Sequence, residues 1–512
     1  MNHFVYRILA SRKRRIAKRI RHDHRPSEAP MLAASNIHYE LATRDRGIAM
    51  GGIGAMHLLA HRCGLIDQID RRVHLLKIHQ PYHESDHVLT IAYNILAGGG
   101  CLEDLETLRQ DEVFLDALGS KRIPDPTTAG DFCRRFDEPA IWTLMEATNL
   151  CRKNLWALQP PEFFQQAIVD VDGTLASTTG ACKQGMDISY NGQWGYHALV
   201  VSLANTKEPL YLVNRSGNRP SHEGAHVCLD KTIVLCRDAG FKAILLRGDT
   251  DFSQTGHLDR WDQQKDVKFL FGMDARPNLN AIADQLPVLA WKPLERPAKY
   301  HVHGALRSRP ENVKERIVRE REFDNLCLQS EEVAEFDYRP VACKRAYRVV
   351  VVKKNLSLKK GQQALFVDPR YLFYITNLSA QSPQEIVLLA NDRCDQENLI
   401  EQLKNGVKAM KMPVDNLLSN WAYMVMAALA WSLKAWLALT LPEVKGRWQQ
   451  RHAQQKQELL KMEFKQFLNL MMRQPCQIIK TGRRIVYRLL AWNPWQGVFL
   501  RIAETLRHPM LR

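Results

Sequence analysis

No two of the eleven cysteines stand in a C-x-x-C pair, and their number is odd. That excludes the common zinc-site spacings and a disulfide framework, and points to a reducing, cytoplasmic compartment. No long apolar core follows the basic residues at the N-terminus, so a secretory signal is not expected. The most apolar segment, Trp421 to Leu439, loses its uncharged character at Lys434. It is too short to span a bilayer comfortably and reads as a buried helix, with no membrane as partner. Internal repeats are absent. With 45% hydrophobic and 25% charged residues, wholesale disorder is excluded. The 512 residues suggest about three domains and suffice for a large core.

The formal charge is +16, and its distribution is uneven. Residues 1–25 carry nine Lys/Arg, among them Arg14 and Arg15, against one acid. Residues 434–512 carry fifteen against four, which leaves the 26–433 body at −3 by difference. Basic ends on a near-neutral body suit a polyanion, because each neutralised phosphate releases counterions. Solubility or an anionic membrane surface would use the same charge with less specificity.

Periodicity and charge divide the chain into a basic arm (1–25), a helical N-terminal region (26–160) that is the candidate for DNA binding, a first core part (161–266), a β-rich segment (267–385), a second core part (386–440) and a basic helical end (441–512). Apolar residues recur at helical spacing from Val88 to Leu96, ending at Gly98-Gly99-Gly100. Thr127-Thr128 reads as a cap for a short helix bearing Arg134 and Arg135, a candidate recognition helix. From residue 166 the runs shorten to strands: 167–172, 197–203, 210–213 and 241–246, with a helix over 224–238. The further strands 267–271, 347–352 and 371–376 complete an α/β order, and the chain turns helical again from Pro383.

Three carboxylates stand out. Asp172 and Asp249 close apolar strand runs, and Glu397 lies on a helical stretch, 392–404. Carboxylates at neighbouring strand ends can meet one from a helix packed across the sheet, and such an oxygen cluster suits Mg²⁺. On that stretch Arg393, Glu397, Glu401, Lys404 and Lys408 follow each other by three or four residues and form one stripe. Taken alone, the stripe reads first as an ordinary solvated face with salt bridges.

The run resembles the catalytic helix of bacterial insertion-sequence transposases with a DDE triad. In the β-insertion branch the signature is Tyr, then Arg, Glu and Lys at three, seven and fourteen residues beyond. Ala390, Arg393, Glu397 and Lys404 match three of those four, and the Tyr is absent. Asp170-Val-Asp-Gly-Thr174 resembles the first-Asp motif, Arg247-Gly-Asp-Thr-Asp-Phe252 the second, and 214–224 the segment between them. The resemblance spans roughly residues 45–440. It implies an α/β fold: a ribonuclease H-like mixed sheet core interrupted by a β-rich insertion domain, with helical N- and C-terminal regions.

Asp172, Asp249 and Glu397 are then the catalytic and metal residues, holding two Mg²⁺, with Mn²⁺ a plausible substitute. Asp170 shares a strand face with Asp172, so either can be the first ligand. Asp251 stands similarly beside Asp249. Arg393, Lys404 and Lys408 are the phosphate contacts at the site. Trp291, next to Lys292, is the candidate for stacking on a flipped base. The partners implied are double-stranded DNA, as terminal inverted repeats and as target, and a second copy of the chain in a synaptic homodimer. The setting implied is a prokaryotic cytoplasm, on the nucleoid. Two other readings stand beside this one. Asp170-Val-Asp-Gly-Thr-Leu175 also matches the first motif of haloacid dehalogenase-like phosphatases, with Asp170 as nucleophile and Asp172 as acid/base. A DNA-binding regulator without catalysis would explain the charge but not the carboxylates.

Overall fold

Short β-branched runs and a helix-rich remainder fold into a mixed α/β architecture built on one large sheet. The computed structural model describes residues 3–21, 36–39, 41, 44–180, 183–297, 316–317, 325–360, 363–443, 446–482 and 484–508. Its central strands are Ala167–Ser177, Trp194–Leu203, Glu208–Val213, Ile244–Gly248 and Val267–Met273. The first runs antiparallel to the second, and the second antiparallel to the third. The first is also parallel to the fourth, and the fourth to the fifth. Helix Ala225–Ala239 packs on the first four of these strands, and helix Cys394–Glu401 packs on the first. Nearly every residue of the second and third strands is buried, as strands covered on both faces require.

The first strand does not end at Asp172. It continues to Ser177, because the second strand keeps pairing with it as far as Gly195. Gly173 sits inside this ladder and does not break it. The expected boundary at residue 267 also falls inside the sheet. Val267–Met273 is a core strand, and Gln363–Thr376 pairs antiparallel with it. Tyr347–Lys360 and Asn325–Tyr338 extend the ladder further. The β-rich segment is therefore a continuation of the core sheet, held by the same hydrogen bonds.

Helix Leu417–Leu439 is long and apolar enough by composition to cross a membrane, yet it is buried from Ser419 onward inside the protein. Asn416 caps it by accepting from the Ser419 N–H. It packs against helix Glu84–Leu96, which is itself buried along almost its full length, and against helix Glu138–Trp156. A satisfied polar knot ties these parts to the sheet. The Arg152 Nε donates to Glu208 Oε1 at 2.8 Å, and Trp156 and Trp436 donate their indole N–H to the same carboxylate at 3.1 and 2.7 Å. Arg152 also donates to the Pro209 carbonyl at 2.8 Å. Complete pairing is what makes an ion pair tolerable at 1% and 0% exposure.

The end expected to be helical carries a β-hairpin, Cys476–Thr481 with Arg484–Leu489. Its first strand pairs with Gly47–Ile48, so residues near both ends of the chain share a small sheet. In Arg484–Leu489 only Tyr487 and Leu489 turn partly inward, two residues apart, which is too short a pattern to read as a strand beside the basic residues.

Candidate active site

Strand register decides which carboxylates are free. Asp170 lies opposite Arg247 on the parallel neighbour. Arg247 grips it with Nε and Nη2 at 2.7 and 2.8 Å and donates Nη1 to the Leu389 carbonyl at 2.8 Å. At 1% exposure, with both oxygens engaged, Asp170 offers no accessible nucleophile of the kind a phosphatase needs.

Asp172, two residues on along the same face, is only partly buried. Its Oδ1 accepts the Gly173 N–H at 2.8 Å, and its Oδ2 accepts Arg393 Nη1 at 3.0 Å. Burial pushes its pKa up to about 6, against the pull of Arg393, and the neighbouring Asp249 adds to the rise. Asp249 follows the fourth strand directly and caps a short turn, accepting the Asp251 N–H at 3.0 Å. Arg393 Nη2 lies 3.8 Å from Asp249 Oδ2. Burial raises the pKa of this carboxyl too, opposed by Arg393, with Asp251 adding to the rise. Two poorly solvated carboxylates thus share one guanidinium, an electrostatic situation that favours a further cation.

Glu397 stands one helical turn beyond Arg393, exposed and without a hydrogen-bond or ion-pair partner among the described residues. With Asp249, Arg393, Thr250 and Tyr374 it lines a cavity of about 230 Å³. Among the described residues no three carboxylate, His or Cys side chains form a finished metal cage. The donor chemistry nevertheless fits a hard divalent ion: oxygen ligands only, with raised proton affinity on two of them.

The stripe expected on one helix is interrupted. A helix Pro383–Asn391 ends before Arg393, a second runs Cys394–Glu401, and a π-turn covers Gln402–Gly406. The π-turn inserts an extra residue per turn and breaks the i,i+4 register. Lys404, inside it, still feels the charge of Asp172, while its own pKa is lowered by burial. Lys408 lies beyond the helix, at φ +55, and does not continue the face.

Other expected contacts lie elsewhere. The helix bearing Arg134 is capped by Asp125, with Pro126 in its first turn, not by the threonines. Arg134 is engaged by Asp131 at 2.8 Å and Asp415 at 3.1 Å, whereas Arg135 is exposed. Trp291 is half-buried, stacked on Tyr371 at 6.2 Å with Lys353 over its ring at 5.3 Å, and it does not line the cavity. Arg14 and Arg15 lie exposed on helix His3–Arg21.

Sequence reasoning missed His197. Its Nδ1 lies 2.9 Å from the Arg219 carbonyl, and a Cβ added to Gly173 would meet its ring at 3.1 Å. Its pKa is lowered by burial and by Arg215. It therefore sits over the residue after Asp172, and Gly173 is the glycine that lets it approach. Only the Leu175–His197 pairing reveals this, and pairing is not written in a single run of residues.

Comparison with known proteins bears on the same residues. No curated protein matches the chain. Among solved structures, the cryo-EM structure of a piggyBac transposase synaptic complex with hairpin DNA is similar at 9% identity. That similarity covers 91% of this chain and 84% of that one, with a TM-score of 0.37. The family model described as Transposase DDE domain group 1 matches residues 48–510, nearly the whole chain, both candidate aspartates and Glu397 included. The chain therefore belongs to the Transposase DDE domain group 1 family and is a DDE transposase.

Proposed function

We propose that this transposase binds the terminal inverted repeats of a bacterial insertion sequence and cuts and joins DNA at a site formed by Asp172, Asp249 and Glu397. The observation carrying the assignment is Arg393, which reaches Asp172 and Asp249 together one turn before Glu397. Three antiparallel strands followed by two parallel ones support a ribonuclease H-like core. The three-residue match at Arg393, Glu397 and Lys404 supports the β-insertion branch, and the missing Tyr removes one phosphate contact from that branch's set.

The three carboxylates would hold two Mg²⁺, or Mn²⁺ in their place. Bound there, the ions supply activation of the attacking oxygen and charge relief at the leaving one. Arg393 then exchanges its carboxylate partners for a phosphate near the scissile bond. Lys404, already close to Asp172, adds positive charge on the same side. Burial around Asp172 keeps bulk water from screening these contacts. The first displacement frees a 3′-hydroxyl at the element's end, and the second uses it on the opposite strand or on target DNA. Cutting two ends in concert calls for a homodimer, on the nucleoid in a prokaryotic cytoplasm.

The test is cleavage of a labelled element end by Asp172→Asn, Asp249→Asn and Glu397→Gln. Each is expected to lose cleavage by at least about 10³-fold while end binding changes little. Full cleavage by Glu397→Gln would overturn the site.

A further inference from the structure

The two basic ends of the chain meet in the folded protein. Helix His3–Arg21 contains no acidic residue and turns Val5, Leu9, Arg12 and Ile16 toward the protein, at helical spacing. Arg12 fastens it by donating to the Leu489 carbonyl at 3.2 Å and the Ala491 carbonyl at 3.1 Å, at the end of the C-terminal hairpin. Tyr6 lies within electrostatic reach of Arg501 on helix Gln496–Thr505. Arg501 in turn feels Arg451 on helix Gln449–Lys461 and donates to Gln455. Beside them Trp448, 46% exposed, carries Arg447 and Arg451 over its ring at 4.9 and 5.7 Å.

Like charges gathered this way repel each other. Glu443 is engaged by Lys456 at 2.9 Å, and no carboxylate among the described residues pairs with Arg14, Arg15, Lys18, Arg447 or Arg451. We propose that the N-terminal helix and the C-terminal unit form one composite face for the backbone of duplex DNA, and that Arg12 positions the helix on it without touching DNA itself. The proposal rests on the DNA-binding reading above.

The dimensions agree with that occupant. Nineteen helical residues extend about 28 Å, a length over which a duplex presents roughly 16 phosphates. Arg7, Arg14, Lys18 and Arg21 follow at spacings of seven, four and three, one stripe on the outward side. An aromatic ring between two guanidiniums adds a surface that can lie against sugar or an opened base.

The experiment measures binding of the full-length protein to a labelled element-end duplex by anisotropy over a salt series. The variants are Arg14→Gln/Lys18→Gln, Arg447→Gln/Arg451→Gln, and Arg12→Ala. Each exposed cation that contacts a phosphate is expected to lower the slope of log K against log salt by about 0.9. Arg12→Ala is expected to weaken binding at least as much as Arg14→Gln/Lys18→Gln does, and the combination of the two to cost no more than Arg12→Ala alone. Normal affinity in Arg12→Ala, or losses that multiply fully, would overturn the composite face. The two Gln pairs lie on the surface and keep the test valid if Arg12→Ala fails to fold. Absence of wild-type binding to any duplex would instead overturn the DNA reading. Equal or tighter binding to phosphatidylserine vesicles than to DNA would make the face a membrane surface and sink the proposal.

Discussion

Replacing Arg393 by Gln removes the guanidinium that now balances Asp172 and Asp249. The contacts are 3.0 Å to Asp172 and 3.8 Å to Asp249, and the Arg393 side chain is 16% exposed. A hydrogen bond to a charged group in such a place contributes roughly 1.5–3 kcal/mol net, because dehydration consumes most of the gross attraction. A divalent ion entering without DNA must displace that interaction. At about 2 kcal/mol the competition is worth roughly 30-fold in affinity. Arg393→Gln is therefore expected to bind Mn²⁺ about 30-fold more tightly than the wild type in DNA-free protein, measured by calorimetric titration. Without the ion the variant is expected to unfold at a lower temperature, since two partly buried carboxylates lose their partner. Added Mn²⁺ restores more stability to it than to the wild type, as ligand linkage requires. Asp172→Asn/Arg393→Gln serves as the control and should lose the gain. Unchanged or weaker Mn²⁺ affinity in Arg393→Gln would refute the idea that Arg393 stands in for the metal.

Two further outcomes concern stability. Arg152→Met leaves the Glu208 carboxylate buried with only its two indole donors, and is expected to cost about 3–5 kcal/mol in denaturant unfolding, with partial recovery in Arg152→Met/Glu208→Gln. His87 is stacked on Phe132 at 4.3 Å, and its pKa is lowered to about 4, first by burial and then by Arg135. Between its ordinary value and about 4 the unfolded chain takes up a proton that the folded protein refuses, so stability is lost as pH falls through that window. His87→Phe keeps the stacking and is expected to remove up to about 3 kcal/mol of the acid sensitivity, read from denaturant midpoints at neutral and acid pH.

Legibility in the sequence followed the range of the interaction responsible. Helices over 84–96, 225–239 and 417–439 show in local periodicity, because each buries a stripe or a whole surface set by residues three and four apart. The candidate site showed partly. Asp249 follows a short apolar strand and reads directly. The aspartate pair did not separate, because Asp170 and Asp172 share a face and only the register opposite Arg247 distinguishes them. The stripe from Arg393 to Lys408 was misleading, since ideal 3.6-residue periodicity does not anticipate a π-turn at Gln402–Gly406. His197 left no local signal, since its neighbour Gly173 is brought to it by strand pairing.

By itself the sequence determined the charge at the two ends, the candidate carboxylates with the Asp170/Asp172 choice left open, and the α/β order of elements. These are properties of residue type and of short-range period, which survive without knowledge of partners. Only the tertiary structure decided that Arg247 closes Asp170, that Arg393 joins Asp172 to Asp249, and that the β-rich segment extends the core sheet. It also decided that the basic N-terminal helix rests on the C-terminal hairpin through Arg12. Each of these depends on contacts between residues tens to hundreds of positions apart, set by strand register and packing, which no local pattern encodes.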